Sequence, residues 1–378
     1  MSEKAIVVGG GIGGLSAAIA LRQAGVPAQV YERAPALGEV GAGISLWPNA
    51  TRQLARWGVL DRVLRHGQVI DRCEMRAADG ALLSIVRMPA AEVPGVLIHR
   101  ADLHAALLDA LPPWAVSVGA SFCRIREEDD RVQADFGPAG RAEGTLLVGA
   151  DGLRSAVRGL LLADGAPVYR GYGVWRGVTA PGAVEWPALT ETLGRGQRFG
   201  IVPIGGGRHT WWASANVPEN EADPVEGRRE RLLERFRGWH SPIPQLIAAT
   251  PDGEVLRNAT YDRPPVRRWG AGRVTLLGDA AHPTTPNLGQ GGCMAIEDAA
   301  ALAAALAGAD QIPAALRRYE RSRFRRTAFI TRQSLWYGQF AQAEHAAAIG
   351  VRNAMFRLTP PSMTAFAFRR LFSYDAAR

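Results

Sequence analysis

The feature that most constrains this chain is a glycine-rich turn close to its start. Four apolar residues, 5–8, run directly into Gly9, Gly11 and Gly14, spaced G-x-G-x-x-G, and a helical pattern begins near Ile12. A short, fully apolar run is typical of a buried parallel strand. Gly9 permits a tight bend, Gly11 lets a pyrophosphate approach the backbone, and Gly14 lets the helix pack closely on the strand. The sequence therefore predicts a strand, a turn and a helix whose positive end faces a phosphate.

The residues that follow complete a larger unit. The helical pattern continues to Gly25, residues 28–31 form a second strand pattern, and Glu32 and Arg33 come next. Glu32 lies eighteen residues after Gly14, where a carboxylate can accept hydrogen bonds from ribose hydroxyls. A glycine motif alone is weak evidence, whereas strand, turn, helix, strand and acid in this order predict a Rossmann-type unit that binds a dinucleotide.

Length and composition indicate a large globular protein. The 378 residues are 47% hydrophobic, which is enough for one large domain or two closely joined ones. No apolar run reaches the length of a membrane span, and the chain enters a strand too early for a signal peptide, so we expect a cytoplasmic protein without a membrane partner. The three cysteines and seven histidines show no metal-ligand spacing, and we expect neither a disulfide framework nor a metal site.

The formal net charge of +8 raises the question of nucleic-acid binding. Lys4 is the only lysine, and the arginines are scattered along the chain rather than gathered on one face. The densest group, within residues 317–326, falls on a late helix and is typical of a solvated or phosphate-facing surface. We therefore expect no nucleic-acid partner.

Two segments after the first unit add to the predicted ligand site. In the glycine-rich loop 38–50, Gly43 would let the backbone pass close to a flat ligand, although an ordinary surface loop explains it too. A hairpin pattern then turns at Asp79-Gly80, which indicates a second layer or domain. Arg100 stands at the start of a helical stretch, where it could contact a phosphate or a ribose.

Two later strand patterns also end in turns suited to a ligand. Residues 145–148 lead into Gly149-Ala150-Asp151-Gly152, and residues 273–277 lead to Asp279. Beyond a proline-rich bend, a long helix is opened by Gly289, Gly291 and Gly292. The backbone N–H groups at that helix start form a positive pole that can stabilise an anion.

The segment 169–216 is rich in strand formers and aromatic residues, which suits a β-sheet wall for a planar ligand. Trp175, Phe199 and Trp212 are the candidates for contact with a substrate. The competing interpretation is that each of them belongs to the core of the sheet.

Three separated motifs together resemble the class A flavoprotein monooxygenases, the family of p-hydroxybenzoate hydroxylase. The resemblance extends from the first strand to at least Leu306. The motifs are Gly9-x-Gly11-x-x-Gly14 with Glu32, Gly149-Ala150-Asp151-Gly152, and Gly278-Asp279 with His282 and Pro286.

The resemblance implies roles for individual residues. Glu32 is similar to the acid that holds the adenosine ribose of FAD, and Arg100 to the arginine near its ribityl and phosphate portion. Asp151 resembles the aspartate that serves both FAD and the nicotinamide cofactor, and Asp279 the one that holds the ribityl chain. Residues 286–292 resemble the segment beside the flavin ring.

The middle region resembles the hydroxylases of small aromatic and heteroaromatic acids, including urate hydroxylase. Arg198 is similar to the arginine that binds urate there, and we hypothesise that it pairs with an acidic or carbonyl group of the substrate; an edge-strand surface arginine is the alternative. Thr210 replaces the tyrosine that accompanies that arginine, which argues against urate itself. Arg198 and Pro286 are the predicted catalytic residues, and Thr210 joins the substrate contacts.

The family chemistry implies FAD, NADPH or NADH, O2 and a small aromatic substrate. Reduced flavin reacts with O2 to form a C4a-hydroperoxide, whose distal oxygen is transferred to an electron-rich ring, so no side-chain nucleophile is needed. The arginine-rich surface slightly favours NADPH, which carries an extra phosphate. Epoxidation or Baeyer-Villiger-type oxygenation of a larger apolar substrate would use the same intermediate and is the main alternative.

Other flavoprotein functions fit the sequence less well. The halogenases work through a lysine in the substrate tunnel, and Lys4 at the first strand cannot supply it. An amine oxidase would not need the motif at Asp151, and a non-enzymatic FAD protein would not need the loop 286–292.

The predicted fold class is α/β. A discontinuous Rossmann-type FAD-binding domain with a parallel sheet takes residues 1–70, 100–168 and 263–310. An interleaved antiparallel β-sheet substrate domain takes residues 71–99 and 169–262, and a C-terminal helical segment takes 311–378. We expect a monomer or a homodimer.

Overall fold

The structure, a computed structural model, describes residues 4–38, 41–88 and 90–377. The ends of the predicted first and last segments, residues 1–3 and 378, lie outside this range. The strands, in chain order, are β1 (Ala5–Val8), β2 (Ala28–Tyr31), β3 (Gly43–Leu46), β4 (Gln68–Val69), β5 (Arg72–Ala77), β6 (Leu82–Arg87), β7 (Val96–His99), β8 (Val116–Ser117), β9 (Arg124–Glu128), β10 (Arg131–Asp135), β11 (Arg141–Gly144), β12 (Leu146–Gly149), β13 (Val168–Val178), β14 (Leu189–Leu193), β15 (Gln197–Pro203), β16 (His209–Asn216), β17 (Leu256–Asp262) and β18 (Val274–Leu276).

The α-helices lie between and after these strands. In chain order they are α1 (Ile12–Gln23), α2 (Pro48–Arg56), α3 (Leu60–His66), α4 (Arg100–Leu108), α5 (Ala156–Leu162), α6 (Arg228–Arg235), α7 (Ile243–Ala248), α8 (Gly291–Leu306), α9 (Ile312–Ala341), α10 (Ala346–Leu358) and α11 (Pro361–Phe372). None of the described helices is both long and apolar enough to cross a membrane.

The predicted Rossmann-type unit is present as a five-stranded parallel sheet in the order β18-β12-β1-β2-β8. Val8 pairs with Gly149 and with Tyr31, and Gly149 pairs with Leu276, so four strands end at one level. The turns that follow them therefore meet at a single edge, which is where ligands bind in open α/β sheets. Helix α8 packs against α1, α2 and α9 and covers one side of this edge.

The second layer is a seven-stranded sheet in the order β17-β13-β16-β15-β14-β5-β6. Its strand pairs are antiparallel, as predicted, except for β14 and β5, which are parallel. On its outer face, Phe199 and Trp211 pack with α6 and α7 around Phe236. Its inner face carries the alternate residues, among them Arg198 and Trp212.

The structure adds one detail and changes another. Residues 48–66 form two helices, α2 and α3, because Gly58 adopts a φ of +72° between them. Strand β7, grouped by sequence with the substrate layer, pairs with β3 and β4. The division of the chain into domains stays a prediction.

Candidate active site

The glycine turn after β1 has the geometry that its spacing predicts. Gly9 has a φ of +108°, and a Cβ there would lie 2.5 Å from the Ala150 carbonyl oxygen. A Cβ on Gly14 would lie 1.9 Å from the Gly9 carbonyl oxygen, so helix α1 can approach β1 only without a side chain. At Gly11, by contrast, a Cβ would have nothing within 4 Å. The space at Gly11 is therefore open for a ligand.

Glu32 stands beside this turn at the end of β2. Its Oε2 accepts a hydrogen bond from the Gly10 amide at 2.6 Å, and its Oε1 accepts one from the Ala34 amide at 2.9 Å. The ring of His104 lies 2.8 Å from the Gly10 carbonyl oxygen. The acid is thus fixed next to the phosphate-facing turn, while the neighbouring Arg33 is exposed to solvent.

Asp151 has a local structural task. Its carboxylate accepts hydrogen bonds from the amides of Ala156 at 2.7 Å and Val157 at 3.2 Å, and therefore caps α5. The buried Arg158 donates to the carbonyl oxygens of Ala280 and Ala281 at 3.0 and 2.7 Å, which ties this turn to the one at Asp279. A direct role of Asp151 toward a cofactor stays a prediction.

Asp279 and the start of α8 face the same groove. A Cβ on Gly291 would lie 3.8 Å from the Asp279 Oδ1. Asp279 is exposed to solvent in the groove, while the protein atoms packed around it raise its pKa and His282 and Arg100 lower it. Arg100, at the start of α4, and Asp279 thus contribute opposite charges to the groove.

Two glycines bring the loop after β2 close to the other elements. A Cβ on Gly43 would lie 2.2 Å from the Thr210 Cγ2, and the Gly43 amide donates to the Thr210 Oγ1 at 3.0 Å. A Cβ on Gly292 would lie 2.8 Å from the Ile44 Cδ1. Gly289 has a φ of +59° and lies against Trp47. Small residues are therefore needed here for packing, independently of any ligand.

Arg198 is the centre of a polar cluster on the inner face. It is only 2% exposed, and it donates to the Glu191 Oε1 at 2.9 Å and to the Gln342 Oε1 from two nitrogens, at 3.1 and 2.9 Å. It also donates to the Asn287 Oδ1, and its guanidinium carbon lies 5.2 Å from the centre of the Trp212 ring. Because Glu191 forms an ion pair with Arg198, the positive charge is already compensated within the protein.

The cluster reaches the predicted flavin loop through Asn287, which follows the exposed Pro286. The Asn287 amide nitrogen donates to the Tyr172 hydroxyl at 3.1 Å and to the Ser334 carbonyl oxygen at 2.8 Å. The loop is consequently held between β13 and α9, and Arg198 contacts the loop rather than solvent.

Sequence reasoning missed a second arginine on this face. Arg176 lies on the same side of β13 as Tyr172, donates to the Asn258 Oδ1 at 2.9 Å, and pairs with no carboxylate in the part of the chain that the structure describes. Burial, and then the charge of Arg100, lower its pKa. The alternation of side chains along β13 could have identified Arg176, because it places Arg176 on the opposite face of the strand from the core residue Trp175.

The predicted aromatic contacts separate onto two faces. Trp212 and Thr210 lie on the inner face. Trp175 and Phe199 lie on the outer face, buried in the core with α6 and α7. Phe199 stacks on Trp211 with ring centres 5.4 Å apart. Trp175 and Phe199 therefore belong to the core of the sheet and do not share a pocket with Trp212.

A cluster of buried charged residues, which was not predicted from the sequence, lies between α8 and α9. Glu297 and Asp298 of α8 are fully buried, and Arg323 of α9 donates to them at 2.5 and 2.7 Å. Asp298 also accepts the Gly278 amide at 2.9 Å and lies 2.5 Å from the His282 ring. This group of residues, here called the buried charge cluster, fixes the turn that carries Asp279. Arg323 therefore does not belong to the solvated surface predicted for residues 317–326.

Fold and site together define a dinucleotide-binding protein in which a second ligand face, the inner face of the seven-stranded sheet, adjoins the cofactor groove. Residues 3–334 match the family described as FAD binding domain, and the chain belongs to this family.

Relatives support the same assignment. The chain is 44% identical over 358 residues to Aurachin C monooxygenase/isomerase of Stigmatella aurantiaca, covering 93% of each chain. It is 37% identical over 332 residues to FAD-dependent urate hydroxylase of Klebsiella pneumoniae, covering 85% of each. A crystal structure of Klebsiella pneumoniae HpxO complexed with FAD and uric acid superposes with a TM-score of 0.90, at 30% identity, over 98% of this chain and 97% of that one. The expected family is confirmed, and the chain is an FAD-dependent monooxygenase.

The residues present fit FAD. The open space at Gly11 would admit a pyrophosphate, the acid fixed beside the turn would accept hydrogen bonds from a ribose, and Asp279 beside the start of α8 would hold a ribityl chain. Among the described residues, no group of three or more His, Cys, Asp or Glu side chains could hold a metal ion.

Two glycine substitutions separate cofactor contact from folding. Gly11→Ala is expected to leave the fold intact and to weaken FAD binding about tenfold or more, because its Cβ projects into the open ligand space. Gly14→Ala is expected to reduce the yield of folded protein as well, because its Cβ would collide with backbone. Flavin fluorescence titration and circular dichroism measure the two effects. Full FAD affinity in Gly11→Ala would contradict the placement of the pyrophosphate.

Proposed function

We propose that this enzyme uses NAD(P)H and O2 to insert one oxygen atom into a small aromatic or heteroaromatic ring. The observation that carries the proposal is the inner face, where Arg176 and Trp212 are paired on adjacent strands and Arg176 lies within electrostatic reach of Arg100, which also acts on Asp279 beside the start of α8. Bound FAD supplies the redox chemistry, since it accepts electrons from NAD(P)H and activates O2. The protein's own residues bind the cofactor, orient the ring and exclude water.

The relatives' names support this substrate class. Besides urate hydroxylase, the chain is 39% identical over 341 residues to 3-amino-4-hydroxybenzoate 2-monooxygenase of Streptomyces cremeus, covering 87% of this chain and 85% of that protein. Both named substrates are ring compounds that carry an acidic or carbonyl group. A substrate of this kind needs a cation or a hydrogen-bond donor in the pocket.

Arg176 is the residue that we assign to this need. Arg198 was the predicted partner of the substrate, but Glu191 already compensates its charge, whereas the only side chain bonded to Arg176 among the described residues is the neutral Asn258. A half-buried cation without a carboxylate gains more from an anionic ligand than one that is already paired. Trp212 would then provide a flat surface for the ring.

The activity itself is tested with FAD-loaded enzyme, NADPH or NADH, and a panel of hydroxybenzoates, aminohydroxybenzoates, purines and quinolones. NAD(P)H oxidation, O2 consumption and peroxide release are followed together. One compound should stimulate oxidation while oxygen appears in the product rather than in peroxide. A flavin that NAD(P)H cannot reduce under any condition would reject the proposed reaction.

Arg176→Gln tests the assignment of the pocket cation. For an anionic substrate we expect KM to rise about tenfold to hundredfold, the value of one charge-assisted hydrogen bond, with a smaller change in kcat. Arg257→Gln is the matched control, since Arg257 lies on β17 but pairs with Glu221. An unchanged KM in Arg176→Gln would show that a different residue binds the anionic group of the substrate.

Epoxidation of a larger apolar substrate is the second candidate. The observation that favours it is the 35% identity over 353 residues to chloroplastic zeaxanthin epoxidase of Oryza sativa subsp. japonica, covering 86% of this chain and 54% of that protein. Both reactions add one oxygen atom, so the product mass is the same. The NMR spectrum of the product distinguishes a hydroxylated ring from an epoxide.

A further inference from the structure

The two C-terminal helices expose an unusual set of large apolar side chains. Leu358 is 79% exposed and Phe366 is 65% exposed, and three more large apolar residues are exposed beside them in the chain. The C-terminal apolar surface, as we call it, consists of Val351, Met355, Leu358, Met363 and Phe366. Single exposed apolar residues are common, but five of them on two successive helices indicate a surface that contacts something else.

The surface follows the helical repeat. Val351, Met355 and Leu358 are spaced i, i+4, i+7 and occupy one face of α10, while Met363 and Phe366 lie one turn apart on α11 after the bend at Pro360.

Helices α10 and α11 are attached to the protein by different side chains. Phe356 of α10 packs near Tyr337, and Phe372 of α11 stacks on Trp47 with ring centres 4.4 Å apart. The exposed residues of α10 and α11 are therefore not the ones that hold these helices in place.

The charge of this region is entirely positive. No aspartate or glutamate occurs between Glu344 and Asp375. Arg357, Arg369 and Arg370 are exposed, and none of the three forms an ion pair within the described part of the chain. The C-terminal apolar surface is thus accompanied by three uncompensated positive charges.

The charge decides between two kinds of partner. In a symmetric dimer, the C-terminal apolar surface of one subunit would face the same surface of the other subunit. The arginines of the two subunits would then repel each other. An anionic phospholipid surface would neutralise the arginines and accept the apolar side chains below its headgroups.

We propose that the C-terminal apolar surface docks this enzyme on anionic phospholipid bilayers. Leu358 and Phe366 insert at the level of the headgroups, and Arg357, Arg369 and Arg370 contact lipid phosphates. The attachment is peripheral and reversible, because it involves only the exposed faces of two short helices and none of the described helices could span a bilayer. It goes beyond the oxygenation reaction and does not depend on which substrate is oxidised.

The test measures binding of the full-length, FAD-loaded enzyme to vesicles by flotation. Phosphatidylcholine vesicles with phosphatidylglycerol should bind the enzyme, and vesicles of phosphatidylcholine alone should bind it far less. Arg369→Gln should lower the partition coefficient about fivefold, the contribution of one basic residue near an anionic surface, and added salt should weaken binding. Leu358→Ser and Phe366→Ser should each lower it several-fold.

A matched variant controls for general loss of surface hydrophobicity. Leu160→Ser removes a leucine that is 55% exposed on α5, and it should bind vesicles like the unchanged enzyme. Thermal unfolding and NAD(P)H oxidation should remain the same in all four variants, since none of these residues lies at the active site.

Three results would overturn the proposal. The first is equal binding of the unchanged enzyme to anionic and neutral vesicles, or to neither. The second is unchanged binding of both Leu358→Ser and Phe366→Ser. The third is a dimer in sedimentation analysis that Leu358→Ser converts to monomer, because the surface would then belong to a second copy of the chain.

Discussion

Replacing Arg323 with methionine is expected to destabilise the folded enzyme by about 3–5 kcal/mol, the cost of leaving buried charge without its partner. Arg323 is fully buried and is bonded to both Glu297 and Asp298, so methionine fills part of its volume but removes the cation that the two carboxylates share, leaving Glu297 with Arg326 and Asp298 with His282. Unfolding by urea, followed by circular dichroism, measures the loss. FAD affinity should fall as well, because Asp298 holds the Gly278 amide beside Asp279.

An exposed pair provides the control for Arg323→Met. Arg237 and Glu234 form an ion pair on the surface of the protein, and Arg237→Met should have little measurable effect on stability. If the two variants lost similar stability, the buried charge cluster would not have the role described. A triple variant that also neutralises Glu297 and Asp298 should recover part of the loss, since the uncompensated charge is then removed.

The same cluster predicts a dependence of stability on pH. Burial alone would raise the pKa of Asp298, but His282 and Arg323 outweigh it, so the pKa lies below its ordinary value. A carboxyl group whose pKa is lower in the folded state stabilises the protein above its unfolded pKa of about 3.9, and this stabilisation is lost as the pH falls through the folded pKa. The unfolding free energy should therefore decrease in acid below about pH 4, and less so in Arg323→Met.

The sequence predicted those features whose cause is local. Gly14 is needed because of a contact within the same strand–turn–helix unit, and the order of strand, turn, helix, strand and acid identified that unit from the sequence. The turns at Asp151 and Asp279 followed from apolar runs that end at the same edge of a parallel sheet. These predictions required no knowledge of distant contacts.

The remaining features depend on partners far away in the chain. Trp175 and Trp212 both lie in apolar strands. The alternation of side chains along a strand separates its two faces, but it does not show which face contacts the ligand when other elements pack on both. Arg323 is buried because two acids of another helix meet it, and Arg198 is compensated by Glu191 from the neighbouring strand. Only the three-dimensional arrangement distinguishes these arginines from solvated ones.

Arg198→Met is expected to uncouple the enzyme. Without the guanidinium, Glu191 is a half-buried carboxylate without its cation, and Asn287 loses its contact with Arg198 on the inner face. A displacement of about 1 Å between cofactor and substrate can cost about a hundredfold in rate, so oxygen transfer should fall by about that factor. NAD(P)H oxidation should continue, with peroxide released in place of oxygenated product.

A second variant distinguishes this positioning role from direct substrate binding. Glu191→Gln should produce similar uncoupling, because it breaks the same ion pair, and combining it with Arg198→Met should add little to either single effect. Tyr337, which donates to the other Glu191 oxygen at 2.9 Å, should report the change through its fluorescence.

Direct contact between Arg198 and the substrate predicts a different pattern. Glu191→Gln would then free the guanidinium for an anionic substrate and lower KM, while Arg198→Lys would retain part of the binding. KM would rise in Arg198→Met, and the fraction of oxygen transferred to product would stay the same. Comparing KM with the fraction of oxygen transferred to product in these variants therefore shows which arginine binds the substrate. A change in KM alone would assign that role to Arg198 instead of Arg176.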